Sequence, residues 1–308
     1  MTLKLIIGTR GSKLALWQTN WVKGELERAF PNIEIEIQVI TTKGDRILDV
    51  SLPKLGEQGK GLFTKELEEA MIEGRVDLAV HSLKDLPTEL PDGLHIAAIC
   101  QREDPTDALV ARPGIDSFDH LPQGAIIGTS SLRRQAQIRA ARPDLVLEPV
   151  RGNLDTRLGK LEAGLYDALV LASAGLHRLD LRDRITEHIS EDLILPAVGQ
   201  GALAIEARAR DTATNELLQA LDHLPTRLEC LTERAFLKGL GGGCLVPIAA
   251  RCRFKGRDLH LKGLVASPDG SETMSDSMVG SAEEAEATGF DLAGRLLDRG
   301  AGRLLERE

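Results

Sequence analysis

The sequence predicts an α/β protein in which strands alternate with helices over the first two-thirds of the chain, followed by a small α+β domain. Three observations carry that expectation. Apolar runs of strand length recur between amphipathic stretches long enough for helices. Ile33, Ile35, Ile37 and Val39 alternate with polar residues, the period of a half-buried strand. From about residue 248 the pattern changes to three adjacent strand-like runs separated by turn residues.

In order, Leu3 to Gly8 reads as an apolar strand, and Ser12 as the cap of a helix running to about Phe30. The alternating strand comes next, then a helix over Phe63 to Glu73 and a buried strand over Val76 to Val80. Strand Ala125–Gly128, helix Leu132–Ala141, strand Leu145–Val150, helix Leu154–Ala163 and strand Ala168–Ala172 continue the alternation. Such units build a largely parallel sheet, with ligands beyond the carboxyl ends of its strands. A helix from Thr226 to Leu240 leads into a meander, Ile248–Phe254, Asp258–Val265 and Glu272–Val279, turned at Gly256-Arg257 and Pro268-Asp269-Gly270. An amphipathic helix over about Glu283 to Leu305 follows.

At 308 residues, about two domains with real cores are expected. The net charge of −9 argues against general binding to nucleic acid. The apolar stretch near the N-terminus is too short for a secretory signal and meets Arg10 at once, and no run approaches a membrane span. Cys100, Cys230, Cys244 and Cys252 lie far apart without metal-ligand spacing, so neither a metal nor a disulfide framework is expected. A cytoplasmic location fits these features.

Function should be sought at the polar junctions after the strands: Gly8 to Ser12, Thr41 to Asp45, His81 to Asp85, Gly128 to Ser131, and Arg151 to Asn153. They combine glycine, small hydroxyls and charge, and helix N-termini there offer free N–H groups to anions. Between Arg133 and Arg157 stand six arginines against three acids, which suggests an anionic small-molecule ligand. The Gly56–Gly61 segment lacks Walker spacing, and residues 44–61 read better as a glycine-rich loop over a cleft. Gly199 to Ala204 matches G-x-G-x-x-A but runs on into an apolar strand, which excludes a dinucleotide site. Cys244 follows three glycines, and the local sequence leaves two readings open: a displayed thiol, or a buried cysteine after a helix cap.

Several segments together resemble the porphobilinogen deaminase (hydroxymethylbilane synthase) family over essentially the whole chain. They are Thr9–Ser12 with Leu14–Gln18, Gly59–Phe63, Val80–Pro87, Arg102–Pro105, Gly128–Gln135, Val150–Asn153, Pro196–Gly201 and Gly242–Cys244. The resemblance implies two doubly wound lobes like those of type II periplasmic solute-binding proteins. Residues 1–99 with 198–220 would form one lobe and 100–197 the other, with crossings near residues 100 and 197. Residues 221–308 would form the C-terminal domain carrying the cofactor cysteine. It also implies an enzyme that joins four porphobilinogen molecules head to tail, releasing four ammonia, to give hydroxymethylbilane. A dipyrromethane cofactor would be held by a thioether to Cys244.

Carried over residue by residue, the resemblance assigns the cofactor's acid groups to Ser82, Lys84, Ser131, Arg133, Arg134 and Gly152. Arg10, Ser12, Gln18, Lys60, Arg151, Arg157, Arg178 and Gln200 would hold the incoming porphobilinogen and the growing polypyrrole chain. Each porphobilinogen carries two carboxylates, and arginine's planar fork binds carboxylates bidentately. Asp85 is expected to be catalytic, stabilising the cationic pyrrole left when ammonia departs and managing proton transfers. His81 reads as structural. Gly241 and Leu245 depart from the family's pattern beside the cysteine. A monomer without membrane or nucleic-acid partners is expected. The alternative is a non-catalytic solute-binding or ligand-sensing protein of the same two-lobed fold, which has no use for Cys244 or Asp85. A thiol enzyme with a histidine base lacks any suggestive Cys/His arrangement.

Overall fold

The computed structural model describes residues 3–46, 61–242 and 246–305. The chain opens with β1 (Leu3–Thr9), α1 (Lys13–Ala29), β2 (Ile33–Val39), a single turn α2 (Lys43–Arg46), α3 (Lys65–Ile72), β3 (Leu78–Ser82) and β4 (Leu94–Ile99). It continues through β5 (Asp107–Ala111), β6 (Ile126–Gly128), α4 (Leu132–Ala141), β7 (Val146–Glu148), α5 (Leu154–Glu162), β8 (Ala168–Ala172), α6 (Ser173–Arg178) and β9 (Glu187–Ile189). After β10 (Leu203–Arg208) and α7 (Thr212–Leu218) come α8 (Leu224–Gly239), β11 (Ile248–Lys255), β12 (Asp258–Ala266), β13 (Thr273–Ser281), α9 (Ala285–Asp298) and α10 (Gly302–Leu305).

These strands form two five-stranded sheets, β2-β1-β3-β10-β4 and β7-β6-β8-β5-β9, and a three-stranded antiparallel sheet, β11-β12-β13. The sheets are mixed rather than simply parallel. β1 pairs in parallel with β2 and β3, whereas β10 runs antiparallel to β3 and β4. The second sheet repeats the plan, with β5 as the reversed strand. The reversed strands are the two that the chain enters from the other sheet, after β4 and after β9. A parallel strand ends at the junction between lobes; a strand entered from that junction must run the opposite way.

Each sheet buries its own core. Leu5, Ile7, Val22, Leu26, Leu78 and Ile205 fill the first, and Leu109, Phe118, Ile127, Ile138 and Val170 lie against the second. Phe236 on α8 and Leu292 and Leu296 on α9 cover the third sheet at Ile248, Leu259 and Leu261. Val198, on the second crossing, joins that third cluster and ties the crossing to the C-terminal sheet.

Helix starts follow the sequence closely. Ser12 Oγ accepts from Ala15 N, Ser131 Oγ from Arg134 N and Asn153 Oδ1 from Thr156 N, each cap satisfying an orphan amide. The helix expected over Phe63–Glu73 is shorter, and the strand expected over Val76–Val80 lies two residues later. Sequence patterning left β4, β5 and β9 unassigned. The long helix expected over Glu283–Leu305 is broken: α9 ends at Asp298 and α10 restarts at Gly302, because Gly300 adopts φ 93°.

Candidate active site

Asp85 stands at the meeting point of two cavities. It ends a one-turn 3₁₀ helix, Leu83–Asp85, that follows β3, and buried Leu83 and Leu86 pin the chain on either side of it. With both leucines inside, the exposed carboxylate faces the open space between the lobes. The larger cavity has a volume of about 180 Å³ and is lined by Lys84, Asp85, Ser131, Arg133, Arg134 and Gln200 with Val246 and Ile248 from the C-terminal domain. The smaller, about 60 Å³, is lined by Arg10, Ser12, Gln18, Phe63, His81 and Ser82, and again by Asp85.

The cations of the larger cavity are held rigidly from behind. Arg133 Nη1 lies 2.8 Å from Asp107 Oδ2 and donates to the Leu195 carbonyl at 2.7 Å. Arg134 donates through Nε and Nη2 to Asp107 Oδ1 at 3.0 and 2.6 Å, and through Nη1 to the Val170 carbonyl. Gln200 Nε2 also reaches Asp107 Oδ1, at 3.0 Å, and the Pro105 carbonyl at 2.6 Å. Burial alone would raise the Asp107 carboxyl, but the two guanidiniums outweigh it and hold it well below the usual carboxylate range.

Positive charge is nevertheless in excess here. Burial pushes the Lys84 ammonium down to about 8, with Arg134 and Arg133 adding to the depression and Asp85 and Asp107 opposing it. Arg157 is likewise pushed down to about 10 by burial, then by repulsion from Arg134 and Arg151, with Asp85 opposing. Cations depressed by burial and mutual repulsion gain most from a ligand that brings several carboxylates. A dipyrromethane with its acid side chains is such a ligand, so these residues fit that cofactor.

In the smaller cavity the Arg10 guanidinium lies over the Phe63 ring, 4.2 Å from its centroid. Gln18 Nε2 donates to Ser82 Oγ at 2.9 Å. His81 is buried beneath, with Nε2 3.0 Å from Glu206 Oε2 on β10, in keeping with a structural role.

The structure gathers most of the expected residues, with some redistribution. Ser82, expected on the cofactor, lines the smaller cavity, because the end of β3 turns its hydroxyl toward Gln18. Gln200, expected on substrate, lines the larger one, since its amide is tied to Asp107. Gly152, Arg151 and Arg157 line neither cavity; Arg157 Nε donates to the Gly152 carbonyl at 2.9 Å, while its charge interacts with that of Asp85. Arg178 is buried and donates to the Gly201 carbonyl at 2.6 Å, which props the second crossing instead of lining either cavity. Lys60, Cys244 and most of the 44–61 loop lie outside the described residues.

Two residues of the site were not singled out from sequence. Asp107 sits just past the Arg102–Pro105 motif; an acid heading the apolar run Ala108-Leu109-Val110 is the signal, since a carboxylate at the head of a buried strand requires a cationic partner. Phe63 closes a matched motif, but nothing in the pattern says that its ring lies under Arg10.

These features define a two-lobed α/β protein with an arginine-lined cleft and a small C-terminal sheet domain that contributes to its lining. Family models for the dipyrromethane cofactor-binding domain of porphobilinogen deaminase and for its C-terminal domain match residues 5–216 and 227–298. Porphobilinogen deaminase of Carboxydothermus hydrogenoformans is 53% identical over 99% of this chain and 97% of its own, and that of Synechococcus elongatus 54% identical over 97% and 94%. The chain therefore belongs to the porphobilinogen deaminase family, and its function is that of a transferase of this family. Solved structures that it is similar to include an amino-acid ABC transporter extracellular-binding protein of Bacillus subtilis (10% identity, TM-score 0.42, covering 72% of this chain and 91% of that one). Another is the periplasmic VFT2 domain of Bordetella pertussis BvgS (14% identity, TM-score 0.41, 71% and 86%).

Proposed function

We propose that the larger cavity holds the dipyrromethane cofactor, that the smaller one receives porphobilinogen, and that Asp85 serves both. The observation that carries this reading is that Asp85 lines both cavities, while the cations are divided between them. When bound, the cofactor supplies the pyrrole end to which substrate units are joined. Lys84, Ser131, Arg133 and Arg134 would grip its acid groups; Arg10, Ser12 and Gln18 would orient the incoming ring. As ammonia leaves the substrate's aminomethyl group, the Asp85 carboxylate would stabilise the positive charge left on the pyrrole. After the new bond forms, it would stabilise the second cationic ring and accept a proton.

Cys244 is proposed as the thioether anchor. Support comes from its three counterparts: Cys100, Cys230 and Cys252 are buried, and burial pushes each thiol up, to about 12 for Cys100 and Cys230. Thiols held so far from ionisation are poor nucleophiles. Val246 and Ile248, just past Cys244, line the larger cavity. Arg151, Arg157 and Arg178 are assigned to the incoming and growing pyrroles. Residues 1–99 with 198–220, 100–197 and 221–308 are proposed as the domains of a cytoplasmic monomer. Among the described residues no helix is long and apolar enough to cross a membrane.

Intact-protein mass spectrometry tests the reading. The protein should carry the added mass of two pyrrole units, and Cys244→Ala should lack it. Asp85→Asn should keep that mass yet turn over porphobilinogen about 10²–10⁴-fold more slowly. An active protein without the added mass, or near-native turnover by D85N, overturns it.

A further inference from the structure

Behind the cleft, where the first crossing enters the second lobe, three potential ligands converge from distant parts of the sequence. Asp104 lies on the crossing, His177 on α6 and His188 on β9, and one ligand atom from each falls within 4.8 Å of the others. We propose that Asp104, His177 and His188 form a binding site for a divalent transition metal of the zinc class, independent of the condensation chemistry.

The groups around the three are arranged as supports for ligands. Asp104 Oδ1 accepts from Thr106 N and Thr106 Oγ1 at 2.8 and 2.7 Å, which fixes the carboxylate and leaves Oδ2 facing His188 Nδ1 at 3.2 Å. Glu103 Oε1 lies 3.1 Å from His177 Nδ1. A carboxylate that takes the proton on one ring nitrogen holds the imidazole neutral at the other, the usual carboxylate–histidine–metal arrangement. In the proposed site His177 Nε2 would then be the ligand atom. The two rings are 5.5 Å apart at their centroids and inclined by 64°, edge to face and not stacked.

Bonds of about 2.0–2.2 Å in a tetrahedral site put ligand atoms about 3.3–3.6 Å apart, so a pair at the 4.8 Å limit must close by roughly 1.2–1.5 Å. His188, 47% exposed, can make that movement by a side-chain rotation that exchanges its 3.2 Å contact with Ser173 Oγ, whereas Asp104 and His177 are more enclosed. Two imidazoles and one carboxylate suit zinc, cobalt or nickel better than magnesium or calcium, which prefer all-oxygen sets. Exposure at His188 leaves a fourth position for water. Because the ligands join the crossing to two elements of the second lobe, metal should staple the root of the crossing and stabilise the folded protein in proportion to ligand occupancy. Cysteine spacing could not have revealed this site, since its ligands are neither cysteines nor close in sequence.

The test uses cofactor-loaded protein stripped with chelator, then titrated with ZnCl₂ by calorimetry and with CoCl₂ by visible absorption. One equivalent of zinc should bind, the unfolding midpoint should rise with zinc concentration, and cobalt should give the intense bands of a four-coordinate site. His188→Ala, on the exposed side, should fold normally and weaken zinc at least tenfold. Glu103→Gln should weaken it about 10–100-fold without removing a ligand. If cobalt gives no such bands, or zinc affinity is unchanged in H188A, the proposal fails: the first result reduces the cluster to two His–carboxylate pairs, and the second moves any bound metal elsewhere, such as to a cysteine.

Discussion

At the scale of single residues, the site depends on how few anions face its cations. Asp107 is the buried counter-charge to Arg133 and Arg134. Asp107→Ala would leave two guanidiniums buried without it and should cost about 3–5 kcal/mol in a denaturant titration. A loss below about 1 kcal/mol would show that solvent reaches the arginines freely. Lys84 gives a pH prediction. In the cofactor-free protein its ammonium is pushed down to about 8. Carboxylates bind the charged form, so cofactor uptake should hold below that pH and weaken as pH rises through it. The Cys244 thiolate gains with pH in every variant, so the comparison must be with Lys84→Arg, which stays charged. The ratio of wild-type to K84R uptake, read by intact mass, should fall above pH 8 toward tenfold per unit; a flat ratio to pH 9.5 would remove Lys84 from the anion site. The sequence showed these cations readily, because charges clustered after buried strands have few other uses. It did not show which partner holds which, since Asp107 meets its arginines only through the pairing of β5 with β8.

At the scale of elements, local chemistry wrote the helix starts and tertiary contacts wrote the rest. Ser12, Ser131 and Asn153 cap where their sequence signals stand, and α4 and β8 have the bounds that periodicity predicts. β9 is only three residues long and too short to stand out from its surroundings, while β7, Val146–Glu148, is shorter than the strand expected over Leu145–Val150. β2 is the edge of its sheet, and its alternation survives although Val39 is 54% exposed. The turn from β7 into α5 shows how backbone geometry positions the arginines. Gly152 adopts φ 106°, and a Cβ there would lie 2.6 Å from Thr156 Cβ. Gly152→Ala should therefore cost about 1–3 kcal/mol in thermal or chemical unfolding. It should also disturb Arg157, whose Nε donates to the Gly152 carbonyl, so later elongation should slow more than the first addition. Wild-type stability in G152A would mean that the loop relaxes at little cost.

At the scale of the whole molecule, one buried carboxylate joins the crossings to the C-terminal domain. Glu233 on α8 accepts from Arg102 Nη1 and Nη2 at 2.7 and 3.0 Å, from Gly199 N at 2.8 Å and from Cys252 N at 2.8 Å. Arg102 belongs to the first crossing, Gly199 to the second and Cys252 to β11. Burial works against the Arg102 charge, but Glu233 and Glu229 more than offset it and hold the guanidinium above its ordinary value. Sequence alone exposed Arg102 as part of a motif and gave Glu233 no role, because a glutamate inside an amphipathic helix reads as a solvated face. Its significance comes from three segments, far apart in sequence, meeting at one helix turn. Glu233→Gln keeps the shape but removes the charge, leaving buried Arg102 with Glu229, at 3.4 Å, as its carboxylate among the described residues and the Gln200 carbonyl as a neutral acceptor. The expected cost is about 3–5 kcal/mol. Because the lost contacts run between domains and not within a core, calorimetry should resolve the single wild-type transition into two, the C-terminal domain melting apart from the lobes. One transition at the wild-type midpoint would mean that the Val198 contacts, and not this carboxylate, couple the third domain to the crossings.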